Sequence, residues 1–357
     1  MKQKLTVGIL FGGRTVEHEV SVKSAKNIYD AIDKDKYNVI RIGITKSGKW
    51  ILEPEEADSG IVEGGTELAI LPGIDSKIIV VDTMEKLEKP DVIFPVLHGT
   101  YGEDGTMQGL LKLMDIPFVG PGVLGSAVGM DKEIMKRLLK EKGILSAKYL
   151  VFNKYLDAEK NPDFNEVENK LGMPVFIKPA SLGSSVGITK ASTMEEFDKG
   201  IAEAFQFDNK VIVEENITGR EIECAVLGNE KPVSAVPGEV RSKQGFYSYK
   251  AKYIDDDGAD LMIPAELDIE MAERIKMFAV ETYKTLYCEG LTRVDMFLTQ
   301  NNELLINEVN TLPGFTKISM YPKLWQESGI SYSGLIDRLL ELALDRYNKD
   351  KQLKTSI

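Results

Sequence analysis

The chain has 357 residues, 43% of them hydrophobic and 28% charged, with 44 Lys and Arg against 56 Asp and Glu for a net charge of -12. That length exceeds what one hydrophobic core usually supports, so two or three domains sharing clefts are expected. The acidic balance works against non-specific attraction to nucleic acid or anionic membrane, and the two cysteines, Cys224 and Cys288, lie far apart outside any C-x-x-C pattern, which suits a reducing cytoplasm and neither a disulfide framework nor a zinc site.

The apolar start KLTVGILF stops at Gly12-Gly13 with no small-residue cleavage site after it, so it reads as a buried first strand rather than a secretion signal. No segment approaches the roughly 18 apolar residues that a membrane span needs. KLTVGILFG, VEHEVSVKSAKNIYDAI, YNVIRIGIT, KIIVV and DVIFPVLHG alternate strand-like and helix-like patterns, which predicts a parallel sheet with helices on its faces. Ligands of such sheets bind at the carboxyl ends of strands, where FGGRTVEHE delivers Glu17 and FPVLHGTYGEDG delivers His98. The Gly- and Pro-rich PFVGPGVLG reads as a domain junction, followed by one helix from about Ser126 to a stop at Gly143. A small α+β unit follows to about 217, with strands AKYLVF, PVFIKPA, GITK and KVIVEEN and two helices. REIECAVLG and KPVSAVPGEV then look like antiparallel strands, interrupted by a polar and aromatic stretch whose length suggests a functional lid. Two helices around a strand hairpin end the chain. The boundaries expected are 1–124, 125–217 and 218–357, with the lid at about 239–258.

In the hairpin LTRVDMFLTQNNELLINEVN, a turn centred on Gln300-Asn301 would pair Arg293 with Glu308 and Asp295 with Ile306. Because side chains alternate along a strand, Arg293, Asp295, Glu308 and Asn310 then share one face. Two carboxylates and an amide oxygen are hard ligands suited to Mg²⁺ or Mn²⁺ rather than zinc; a solvated face with an Arg-Glu pair is the plainer alternative. Pro313 and Gly314 fix a turn just beyond. IKPASLGSSVG has the glycines and hydroxyls of a phosphate loop, but Lys178 precedes the glycines, unlike a Walker A motif. GILFGGRTVEHE also lacks the G-x-G-x-x-G of a dinucleotide-binding turn, which speaks against an NAD-dependent oxidoreductase.

Taken in order, FGGRTVEHEVS, HGTYGEDGTMQG, MDK, IKPASLGSSVG, FYSYKAKY, GLTRVDMFL and INEVNTLPGFTKISMYP resemble the D-alanine-D-alanine ligases of the ATP-grasp superfamily over about Gly8 to Pro322. The resemblance implies a mixed α/β and α+β chain: an ATP-grasp fold behind an N-terminal, Rossmann-like parallel-sheet domain. It implies a cytoplasmic, homodimeric enzyme that joins two D-alanines through a D-alanyl phosphate for peptidoglycan precursors, using ATP and two Mg²⁺ or Mn²⁺ ions. On the matching positions, Lys132 and Lys178 would reach the phosphates, with Ser184 and Ser185 closing over them. Glu214 and the backbone near Ile217 would read adenine, and Glu221 the ribose. Asp295, Glu308 and Asn310 would hold metal, while Arg293 and the Gly314 N–H would stabilise the tetrahedral oxyanion. Glu17 would hold the first ammonium, with His98 beside it, and Ser184 and Tyr253 would link Glu17 to the lid, whose Lys252 follows the transferred phosphate. Ser319 would hold the second carboxylate. Met320 stands where D-lactate and D-serine ligases usually carry arginine, which favours D-alanine as acceptor over those two. Lys250 departs from the usual lid glutamate, and Trp50 to Asp82 is longer than in compact members. Another ATP-grasp carboxylate-amine ligase would share the lysines and hairpin but lack the Glu17 and His98 motifs.

Overall fold

In the computed structural model the described residues are 4–54, 65–73, 75–156, 161–242 and 259–354, and among them the strands form three sheets. The first is parallel only at one end. β1 (Leu5–Gly12) lies between β2 (Tyr37–Ile44) and β7 (Val92–Val96), parallel to both. The sheet then continues from β2 as an antiparallel meander: β3 (Trp50–Leu52), β4 (Thr66–Leu71), β5 (Lys77–Val80) and β6 (Lys86–Leu87). The segment KIIVV, expected among the parallel strands, is β5 of this meander; a short connection from β4 cannot hold the crossover that parallel pairing needs. Side chains of β1 alternate between two cores. Val7, Ile9 and Phe11 pack with α1 (His18–Ala31), while Leu10 packs with Met107 and Leu111 of α2 (Thr106–Leu113).

The expected single helix from Ser126 to Gly143 is two, α3 (Val123–Met130) and α4 (Lys132–Glu141), broken at Asp131 in an extended conformation. The Lys132 N–H leaves the helical ladder and donates to the carbonyl of Ala180 at 2.9 Å, and the Asp131 side chain caps α4 by accepting from Ile134 N at 3.0 Å. The break turns Lys132 and, one turn later, Lys136 onto one face of α4.

The second sheet is antiparallel in the order β10 (Thr189–Ala191), β9 (Val175–Pro179), β11 (Lys210–Glu215), β8 (Tyr149–Asn153). Val175, Ile177, Val211 and Val213 face a core closed by α5 (Phe164–Leu171) and α6 (Met194–Ala204). Lys178 and Glu214 therefore project from the opposite face.

The third sheet runs β15 (Ala259–Met262), β14 (Gly238–Ser242), β12 (Gly219–Gly228), β16 (Gly290–Thr299), β17 (Leu304–Asn310), with β13 (Val233–Ser234) beside β12. Ile222, Cys224, Val294 and Met296 pack against α7 (Ile269–Thr285). Alternation sends Glu221, Glu223, Arg293 and Asp295 to the other face. Two helices follow β17: α8 (Met320–Glu327) and α9 (Tyr332–Asp350). Leu335 and Leu339 of α9 join Phe94 of β7 and Leu227 of β12 in one core, so the first and third sheets share their packing. Arg346 of α9 fastens the same seam, donating to the carbonyls of Phe118 at 2.8 Å and Gly120 at 2.5 Å.

Candidate active site

The hairpin face exists, in a register different from the one the turn arithmetic predicts. Arg293 pairs with Asn310 and Asp295 with Glu308, and the register shifts between Asp295 and Met296, which pairs with Ile306. Asn307 is the extra residue of a β-bulge. Without it Ile306 would share the polar face; with it Ile306 is fully buried in the apolar core. β12 extends the row, because Glu223 pairs with Asp295. Three carboxylates, Glu223, Asp295 and Glu308, thus stand side by side across three strands.

Two cations answer them. Arg293 donates in a fork to both oxygens of Asp295 at 2.7 Å each, and its Nε lies 3.0 Å from Glu223. Lys132 Nζ lies 3.3 Å from Glu308 and donates to the Leu182 carbonyl at 2.8 Å. The side-chain oxygen of Asn310 is buried and has no hydrogen-bond partner among the described residues. An amide oxygen stranded beside an excess of carboxylate fits a divalent cation. Among the described residues no group of three or more His, Cys, Asp and Glu forms a metal cage by itself.

Behind this row lies a buried charge triad. Lys178 Nζ donates to Glu214 at 2.7 Å and to Asn307 at 3.3 Å, so the bulge residue joins the second sheet to the third. Lys136 Nζ lies 3.0 Å from the other oxygen of Glu214. Burial alone would raise the Glu214 pKa, but Lys136 and Lys178 together outweigh it and hold the carboxyl at about 2. Burial works to lower the Lys178 pKa, and Glu214 overrides it, with Glu308 and Glu221 adding; the net shift is upward. Burial dominates at Lys136, whose pKa falls. Ile217, in the link from β11 to β12, and Glu221 are both half-buried. Lys136, Glu223 and Asn307 escaped the sequence reading. The i, i+4 spacing of Lys132 and Lys136 and the i, i+2 spacing of Glu221 and Glu223 were the available signals.

A cleft of about 670 Å³ runs from this charged wall to the end of β1, lined by Lys132, Arg293, Glu308 and Asn310 on one side and Glu17, Glu103 and Ser184 on the other. Glu17 sits at the N-cap of α1 yet makes no capping bond; its carboxylate accepts from the Ser184 hydroxyl instead. Ser184 and Ser185 both adopt left-handed φ, 53° and 58°, strained for residues with a Cβ. Glu103 is buried beside Glu17, its two oxygens accepting from Gly99 N at 2.8 Å and Leu312 N at 3.2 Å. His98 donates through Nδ1 to the Leu312 carbonyl at 2.8 Å, and lines a separate cavity of about 320 Å³ rather than the main cleft. Burial lowers its pKa. Gly314, Ser319 and Met320 line the far end of the cleft. A Cβ on Gly314 would meet Ser319 Oγ at 2.9 Å, so a larger residue there would push the Ser319 side chain aside. Ser319 is the N-cap of α8 without a side-chain capping bond, its Oγ accepting from Thr316 N at 3.0 Å, and Lys323 of the same helix also lines the cleft. Tyr253, Lys252, Lys250 and most of the expected lid lie outside the described residues.

Residues 6–121 match the family model "D-ala D-ala ligase N-terminus" and residues 138–341 the model "D-ala D-ala ligase C-terminus". A D-alanine–D-alanine ligase of Oceanobacillus iheyensis is 52% identical across 100% of this chain and 99% of its own. Among solved structures, the D-alanine-D-alanine ligase from Coxiella burnetii superposes with a TM-score of 0.85 at 36% identity, covering 98% of this chain and 96% of that one. A D-Ala:D-Ser ligase from Enterococcus faecalis does so at 0.83 and 36%, covering 96% and 100%. With both halves matched and half of all positions shared over the full length, the chain belongs to the D-alanine–D-alanine ligase family of ATP-dependent enzymes.

Proposed function

We propose that the protein joins two molecules of D-alanine with ATP, giving D-alanyl-D-alanine, ADP and phosphate. The carrying observation is the cleft that sets Lys132, Arg293, Glu223 and Glu308 opposite the Glu17–Ser184 pair. ATP would lie between the second and third sheets, its base toward Glu214 and Ile217, its ribose toward Glu221, and its phosphates toward Lys178 and Lys132 under the Ser184-Ser185 turn. Asp295, Glu308 and Asn310 would hold Mg²⁺ or Mn²⁺, as two ions, and these would neutralise charge on the transferring phosphoryl group. The first D-alanine would place its ammonium on Glu17, and its carboxylate would take the γ-phosphate to form D-alanyl phosphate.

The second D-alanine would set its carboxylate at the Ser319 end of α8, whose N-terminus favours an anion. Its amine then attacks the acyl phosphate. Arg293 and the Gly314 N–H would stabilise the oxyanion, a contribution whose loss typically costs about 3 to 4 kcal/mol in barrier. Tyr253 and Lys252 would complete the closed site and exclude water from the acyl phosphate.

The likeness to a D-Ala:D-Ser ligase leaves the acceptor to local chemistry. Met320, buried at the cleft end, supplies apolar contact and no hydrogen bond for a serine hydroxyl. D-alanine-dependent ADP release with formation of D-alanyl-D-alanine tests the proposal, with D-serine and D-lactate expected to be much poorer acceptors. Equal turnover with D-serine would overturn the acceptor assignment; ATP hydrolysis independent of D-alanine would overturn ligation itself. A homodimer within the cytoplasm completes the proposal, and sedimentation of the purified protein tests the dimer. No helix among the described residues is long and apolar enough to cross a membrane.

A further inference from the structure

Lys136 is fully buried on α4, and a charged group in such a place is costly unless it serves another. Its α4 neighbours Met135 and Leu139 are buried apolar residues, so a methionine would suit the helix equally well. Lys136 instead holds one oxygen of Glu214 at 3.0 Å while Lys178 holds the other at 2.7 Å. The ring of Tyr149 lies 5.9 Å from the same ammonium. With Lys178 alone, the Glu214 carboxylate would be free to turn and meet that lysine with either oxygen or both. The Lys136 contact is an ion pair without a hydrogen bond among the described residues, so the carboxylate is held by charge from a helix on one side and by a hydrogen bond from a strand on the other.

We infer that Lys136 is a positioning residue for base recognition: by pinning Glu214 it holds a pure hydrogen-bond acceptor against the purine edge, selecting a 6-amino base over a 6-oxo base. The inference rests on the reading of Glu214 as the residue that faces adenine. A carboxylate accepts from an exocyclic amine and repels a carbonyl oxygen. A pocket built on such a contact discriminates well only while the acceptor is held still.

The test is nucleoside diphosphate release with ATP and with ITP at saturating D-alanine. Lys136→Met removes the charge at nearly constant volume and leaves Glu214 paired with Lys178, so no buried carboxylate is orphaned. In this variant the ATP:ITP ratio of kcat/KM is expected to fall about tenfold, mainly through KM for ATP, with KM for D-alanine unchanged. Lys136→Gln, neutral but carrying an amide donor on the same side of Glu214, guards against misfolding of the first variant and is expected to lower the ratio about threefold. Glu214→Gln is the comparator and is expected to lose the discrimination at least as far as Lys136→Met. A parental ratio in both Lys136 variants, with Glu214→Gln impaired, makes Lys136 merely structural and overturns the inference. A parental ratio in Glu214→Gln shows instead that Glu214 does not read the base, and the inference falls with that reading.

Discussion

Glu103 should make the stability of this protein fall as pH rises. Burial first, and then the neighbouring charge of Glu17, lift its pKa from 4.5 to about 8, against the two backbone N–H groups that favour the ionised form. A carboxyl whose folded pKa lies above its unfolded value keeps a proton that the unfolded chain releases. Stability is therefore full below pH 4.5 and is lost as pH climbs toward 8. One proton corresponds to about 1.4 kcal/mol per pH unit, which over this window bounds the effect at about 5 kcal/mol. Glu103→Gln removes the titration but can accept only one of the two N–H groups, at a cost of about 1 to 3 kcal/mol. The variant should thus be less stable than the parent near pH 5 and should match or exceed it near pH 9. Urea midpoints across that range give both curves, and their difference reports Glu103 together with the Glu17 charge beside it. Curves that run parallel would refute the reasoning.

Replacing Glu308 by Gln should lower turnover on the order of 100-fold through weakened metal binding, with little change in thermal stability because its side chain is 24% exposed; near-normal ADP release would refute the metal-binding face. Gly314→Ala drives a Cβ to 2.9 Å from Ser319 Oγ, and steady-state kinetics should show KM for the second D-alanine rising about tenfold while KM for ATP holds. Arg346→Met breaks bonds to Phe118 and Gly120 and the 3.2 Å ion pair with Glu289, and should cost about 2 to 3 kcal/mol in denaturant unfolding without altering nucleotide affinity.

The polar face of the hairpin was legible because a strand's period of two needs no tertiary information. Its register was not: the bulge at Asn307 depends on Lys178 reaching across from another sheet, 129 residues away in sequence. The break at Asp131 was hidden for the same reason. The helical pattern runs on through MDKEIMK, and the break is marked by the Ala180 carbonyl just beyond β9, which takes the Lys132 N–H, and by the Asp131 cap. Lys136 shows the limit of periodicity, which places a residue on a face but does not tell whether that face is wet. Glu103 lay within a motif noticed for its histidine, and its partner Leu312 N lies 209 residues later. The tie between Ser184 and Glu17 spans 167 residues and was foreseen only through the family resemblance.

The division of the cores has a mechanical side. The first and third sheets are welded through α9 and Arg346, whereas the second sheet closes its own core with α5 and α6. One heavy body thus carries Glu17, the carboxylate row and Ser319, and a lighter one carries Lys178, Glu214 and the Ser184-Ser185 turn, of which Ser184 lines the cleft. The second sheet is tied to the welded pair by polar contacts, among them Lys178 to Asn307 and Glu214 to Lys136, where a packed apolar core ties the other two sheets to each other.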